Sequence, residues 1–151
     1  MITCNKKIED ILAEEGFYVC RITGHSMEPM LDCESDSVVI APVSERLKKY
    51  DVALYRSGEK YILHRVVKVL PDSYVLCGDN CDFLEGGITD ADVIGVLREV
   101  YRGEDKLDID SRRYKAYCRR RVLGFYPRKI FRAVKRFVRS IAKKIFKKKG
   151  R

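Results

Sequence analysis

"KYILHRVVKVL", residues 60–70, is the stretch on which the reading of this chain turns. It is rich in Ile and Val, which suit a pleated, half-buried surface. It carries one imidazole, His64, in phase with Ile62 and Val66 by the period of two. Turn residues bound it on both sides: "RSGEK" (56–60) and "LPDS" (70–73) fit tight hairpin loops. The stretch reads as a strand with a hairpin at each end. Outward from it, "DVALYR" (51–56) precedes and "SYVLCG" (73–78) follows. "FYVCRI" (17–22), "SVVIAPV" (37–43) and "DVIGVLREVY" (92–101) are of the same kind, with turns at Pro42 and Gly86-Gly87. Short strands at roughly ten-residue spacing suggest a small barrel or sandwich. No helical segment of about 10–15 residues separates them, which argues against a parallel βαβ sheet. The expected fold class is therefore mainly β, a small barrel-like or coiled sheet.

Helical patterns lie only at the two ends. Residues 5–15 read as a short helix, with Asn5 as its cap and Ile8, Ile11 and Leu12 on one face. From about Asp110 the strand pattern stops. "SRRYKAYCRRRVLGFY" (111–126) fits a helix up to Gly124, and Pro127 suits the first turn of another. Across 128–148, Ile130, Phe131, Val134, Phe137, Val138, Ile141, Ile145 and Phe146 recur at spacings that form one stripe, with Lys and Arg filling the rest. The organisation expected is a short helix over 1–15, a core over 16–110 and a basic amphipathic tail over 111–151.

Charge follows the same division. Residues 1–111 hold all 22 acidic residues and 13 of the 31 Lys and Arg, a net of −9. Residues 112–151 hold the other 18 basic residues and no acid, a net of +18. Such a split points to two functional parts. The start of the chain has no apolar h-region. No run approaches the roughly 18 apolar residues that span a bilayer. The expected location is cytoplasmic, peripheral on the inner face of the cell membrane. The six cysteines form no C-x-x-C pair and are read as reduced thiols. Cys77 and Cys81 lack the further Cys or His ligands of a closed zinc site, so no metal and no cofactor is expected.

One segment stands out chemically. In "GHSMEPML" (24–31), Ser26 sits just after a strand end, between Gly24, which permits an unusual dihedral, and Pro29, which stiffens the turn. A backbone of this kind can expose a serine hydroxyl and its own N–H together. Serine is a weak nucleophile at neutral pH and needs a base. His64, on a rigid strand, is matched to that task. A carboxylate commonly orients such an imidazole, and "CGDN" (77–80) offers Asp79. Taken singly, each piece has an ordinary reading: a turn serine, a core histidine, a turn GDN. His25 adjoins Ser26 in sequence, but neighbouring side chains diverge in extended chain, which makes it a poor base.

Together, "GHSMEPML", "KKYDVALY", "YILHRVVKV" and "YVLCGDN" resemble, in order, the boxes of type I signal peptidases and the related LexA-like self-cleaving repressors. The resemblance covers about residues 16–101. It implies a nucleophile at Ser26 within a G-x-S-M-x-P box in which Gly24, Met27 and Pro29 shape the turn. It places the base on the strand holding His64. "LHRVV" is similar to the archaeal and endoplasmic-reticulum branch, which has His there in place of Lys. Lys60 and Lys68 share the strand and, by alternation, the His64 face, but lie roughly 13 Å along it and fit the base role less well.

Three positions depart from the pattern. Tyr50 stands where the family has Gly in its GDV box. Gly24 stands where some relatives place a second serine, so the oxyanion would rest mainly on main-chain donors, chiefly the Ser26 N–H. The supporting acid is open among Asp79, Asp82 and Glu85. The implied function is a serine endopeptidase with a Ser26–His64 dyad, cutting a precursor or signal/leader peptide bound as an extended strand at a sheet edge. The alternative is a non-catalytic, membrane-associated binding or scaffold module on the same fold. An anionic membrane surface is the expected partner of 128–148. Packing on the core and clamping of an acidic partner are the rivals. Nucleic acid is not expected, because a charge run alone is weak evidence.

Overall fold

A computed structural model describes residues 7–149, with side chains through residue 139. Helix α1 (Ile8–Glu15) opens it, with Lys7 in the N-cap position and Gly16 closing it at φ 77°. Asn5, the expected cap, lies outside the described residues. Eight strands follow: β1 (Tyr18–Arg21), β2 (Asp36–Ala41), β3 (Val52–Ser57), β4 (Lys60–Val69), β5 (Tyr74–Cys77), β6 (Glu85–Ile88), β7 (Val93–Arg102) and β8 (Asp105–Lys106). Helices α2 (Arg112–Leu123) and α3 (Phe125–Lys149) complete the described chain. Ser111 caps α2, its hydroxyl accepting from the Tyr114 N–H at 3.1 Å.

The strands form one antiparallel sheet in the order β1-β2-β7-β3-β4-β5-β6, with β8 pairing β7. The expectation of a barrel is corrected here: the sheet is open. Among the described residues β1 and β6 each pair on one side, with β2 and β5. Both are only four residues long, and β6 is "EGGI", whose two glycines weaken a strand. Register shifts between β2 and β7, β3 and β7, β4 and β5, and β5 and β6 bend the sheet without closing it. Gly86-Gly87 thus lies inside a strand and not in a turn.

Alternation along the central strands sends side chains to two cores. One face gathers Leu12, Met27, Met30, Leu31, Val38, Ile40, Val52, Leu54, Leu97 and Val100. The other gathers Ala53, Tyr55, Val66, Tyr74, Leu76 and Val96, with Leu47. The sheet lies between these two cores. Helix α2 is docked: Cys118 and the adjoining Phe125 are buried, and Tyr114 and Tyr117 pack on the first core.

Helix α3 behaves differently. Tyr126, Ile130, Phe131, Val134, Phe137 and Val138 are all more than half exposed. Packing of this part of the stripe on the core is therefore not what the chain does. Ile141, Ile145 and Phe146 have side chains outside the described part. No helix among the described residues is long and apolar enough to cross a membrane.

Candidate functional site

The two tight loops around β4 set the site. Ser57 pairs with Lys60 across the two-residue loop, with Gly58 at φ 60°. That closure fixes Tyr55 opposite Ile62 and Ala53 opposite His64. Tyr55 and His64 are thus diagonal neighbours on one face, within reach of each other. His64 is buried. Its Nδ1 lies 3.2 Å from the Tyr55 hydroxyl and 3.5 Å from Glu85 Oε1. The Tyr55 hydroxyl donates to Glu85 Oε2. With that proton committed, the Tyr55 oxygen accepts from Nδ1–H, which fixes the tautomer and leaves Nε2 with its lone pair.

Electrostatics agree with a neutral ring. Burial pushes the His64 pKa below the ordinary histidine value, and the charges of Glu85 and Asp79 partly oppose this. The Tyr55 hydroxyl is driven far above its usual range by burial, then by its bond to Glu85, so it stays protonated.

Nε2 faces the 24–31 turn across Gly78. A methyl group on the Gly78 α-carbon would lie 3.0 Å from His64 Nε2, 2.6 Å from the Ser26 carbonyl oxygen and 2.7 Å from Cys81 Sγ. The Ser26 carbonyl and Nε2 are therefore at most 5.6 Å apart, the sum of the first two distances. The Ser26 hydroxyl and His64 are not hydrogen-bonded to each other in this structure. Asn80 N–H donates to the Ser26 carbonyl at 2.8 Å, and its side-chain amide donates to the His25 carbonyl at 3.1 Å. The glycine of "CGDN" admits close approach, and the asparagine ties the turn to the box.

The box itself is held from beneath. Met27, Met30 and Leu31 are buried in the first core, while Ser26 is half-buried. Gly24 adopts φ 82°, and the Glu28–Pro29 peptide is cis. Glu28, Met30 and Leu31 donate the main-chain bonds of the turn. His25 is exposed and bonds Glu28 at 2.6 Å. Asp36, fully buried, receives Arg102 through both oxygens at 2.9 and 2.8 Å, and Arg102 also reaches the Met30 carbonyl at 3.4 Å. This pair ties the exit of the box to β7.

The three acids have separate partners. Asp79 is gripped by Arg65, Nε to Oδ1 and Nη2 to Oδ2, both at 2.8 Å. Arg65 follows His64 in sequence and so points to the other face of β4, where it is 1% exposed. Tyr117 of α2 donates to Asp79 Oδ2 at 2.9 Å, and Arg65 also donates to the Tyr50 carbonyl at 3.0 Å. Asp82 receives Arg132 of α3 at 2.6 Å. Of the three, Glu85 is the carboxylate beside Nδ1.

Two further positions differ from the expected pattern. A bulge between Val66 and Lys68 sets Lys68 opposite Val75, so Lys68 has left the His64 face; a strict period of two does not survive the extra residue. Tyr50 sits at φ 85°, in the left-handed region where glycine is at ease. It is held there by Tyr50 N–H to the Val66 carbonyl at 2.9 Å and by Arg65.

Sequence reasoning missed Tyr55, Arg65 and the contact role of Gly78. The signal for Tyr55 was present: a two-residue loop at Gly58-Glu59 dictates the register that puts it diagonal to His64. Comparison with known proteins gives no match, neither to a family model nor to a curated protein.

Proposed function

We propose that the protein is a serine endopeptidase that cuts a precursor or signal/leader peptide, with Ser26 as nucleophile and His64 as base. The observation that carries this reading is the convergence across Gly78 of the Ser26 turn and His64 Nε2, with Nδ1 backed by Tyr55 and Glu85. The missing Ser26–His64 hydrogen bond does not oppose it, because such bonds are commonly long in unliganded enzymes and tighten with substrate.

In the proposed reaction a peptide adds as an extended strand beside the site, where edge strand β1 runs into the box and β6 begins at Glu85. Ser26 Oγ attacks the scissile carbonyl carbon as its proton passes to Nε2. The Ser26 N–H, which donates no main-chain bond among the described residues, meets the oxyanion. Collapse expels the amine, which takes the proton from Nε2, and leaves an ester on Ser26. Water, deprotonated by Nε2, attacks that ester, and the acid leaves as the Ser26 oxygen takes the proton back from Nε2. Glu85, through Tyr55, offsets the charge that His64 gains at each step.

The proposal includes the cell's inner membrane face as the place of action. Helix α3 presents Tyr126, Ile130, Val134 and Phe137 to solvent on a chain segment carrying only positive charge, the composition of an interfacial helix. The catalytic test is a mixed peptide library read by mass spectrometry. Wild-type protein is expected to cut at defined bonds, and Ser26→Ala and His64→Ala each to abolish cutting. Cleavage that survives both substitutions sinks the mechanism. For the helix, flotation with phosphatidylcholine/phosphatidylserine vesicles is expected to carry the full chain and not Ile130→Glu/Phe137→Glu. Equal flotation of the two refutes the membrane role.

A further inference from the structure

Helix α3 touches the catalytic turn on the side away from its exposed stripe. At 100° per residue, Tyr126, Ile130, Val134 and Phe137 fall within an arc of about 80°, with Phe131 and Val138 on its flank. Phe125 and Arg132 fall on the opposite side. The structure agrees, since Phe125 is buried and the stripe is exposed. Arg132 donates from Nη1 to the Asn80 carbonyl at 3.1 Å and to Asp82 Oδ1 at 2.6 Å, and from Nη2 to Asn80 Oδ1 at 3.1 Å. Asn80 in turn bonds the Ser26 and His25 carbonyls. One residue, Asn80, therefore separates the amphipathic helix from the nucleophile box.

We infer that Arg132 couples seating of α3 on an anionic bilayer to the geometry of the Ser26 turn, so that the membrane regulates the site. The inference rests on the peptidase reading above for its effect on catalysis. Its physical basis is the stability of α3. Beyond Arg132 the described apolar side chains of the helix are exposed, and an unpartnered helix is marginal in water. A bilayer buries that stripe and orders the helix, which holds the Arg132 guanidinium against Asn80 and Asp82. The two bonds to Asn80 then fix that residue, and Asn80 fixes the Ser26 carbonyl on which the position of the hydroxyl depends. A bilayer is the occupant that fits, because the stripe is apolar and its flanks are wholly basic. Arg132 is a positioning residue, and its charge is spent on Asp82 and not on lipid.

Coupling of this kind is reciprocal. The test uses the full chain, a library peptide that it cuts, and vesicles of phosphatidylcholine with or without phosphatidylserine. Anionic vesicles are expected to raise the cleavage rate by about tenfold, within the usual range of coupling factors, and neutral ones to leave it unchanged. Arg132→Ala is expected to bind anionic vesicles as the wild type does and to lose the stimulation; Arg132→Lys is expected to recover part of it. Amide hydrogen exchange across 24–31 and 78–82 gives a second reading that needs no catalysis: vesicles are expected to slow it in the wild type and not in Arg132→Ala. Equal stimulation, or equal protection, of wild type and Arg132→Ala overturns the coupling. Stimulation by RNA or an acidic protein in place of anionic lipid overturns the bilayer as partner. A chain that cuts nothing, yet shows vesicle protection dependent on Arg132, fails the peptidase reading and keeps the coupling.

Discussion

Asp79→Ala separates a structural acid from a catalytic one. Both side chains of the Arg65–Asp79 pair are buried, and two parallel bonds of 2.8 Å join them. Removing the carboxylate leaves the Arg65 guanidinium in the core with its charge uncompensated, and Tyr117 without its acceptor. Breaking a buried pair from one side costs about 3–5 kcal/mol. That is a large part of the roughly 5–15 kcal/mol that holds a domain together. With a urea slope of about 1–3 kcal/mol per molar, the midpoint should fall by about 2 M. The partner experiment replaces both groups, Arg65→Met with Asp79→Leu. Apolar replacement of a whole buried pair is often neutral, so the double variant should recover most of the loss. Urea denaturation followed by far-UV circular dichroism measures all three proteins. A loss below about 1 kcal/mol for Asp79→Ala would falsify the reasoning, as would a double variant no more stable than Asp79→Ala alone.

Three further outcomes are expected. The acid limb of the pH–rate profile should lie below the ordinary histidine value of about 6.5, because burial depresses His64, whose neutral form is the proposed base and is lost as pH falls through its pKa. Glu85→Gln removes a charge that raises that pKa, so the limb should move further down while kcat falls on the order of 10²-fold; an upward shift of the limb excludes Glu85 as the supporting acid. Tyr50→Gly should relieve a left-handed residue at φ 85° and raise stability by about 1 kcal/mol, or roughly 2–4 °C in Tm by calorimetry; a lower Tm refutes the strain.

The sequence by itself determined the elements that rest on local chemistry. Alternating Val and Ile placed β1 to β5 and β7, and turn residues closed the hairpins at Gly58 and at Pro71-Asp72. The break at Gly124 and the helix-starting Pro127 separated α2 from α3. Local chemistry also picked out Ser26, His64 and the "CGDN" turn as places of interest.

What the tertiary structure alone decided is how neighbours across the sheet share their charges. Adjacent residues on a strand point to opposite faces, so "HR" sends His64 to one core and Arg65 to the other, and Arg65 takes the Asp79 that GDN offers. Glu85 reaches His64 only because β6, whose two glycines hide it in the sequence, lies beside β5. Whether the sheet closed depended on edge strands too weak to pair, and whether the apolar stripe of α3 was covered depended on where Arg132 and Phe125 hold the helix. Periodicity records which side of an element is apolar; only packing determines what that side meets.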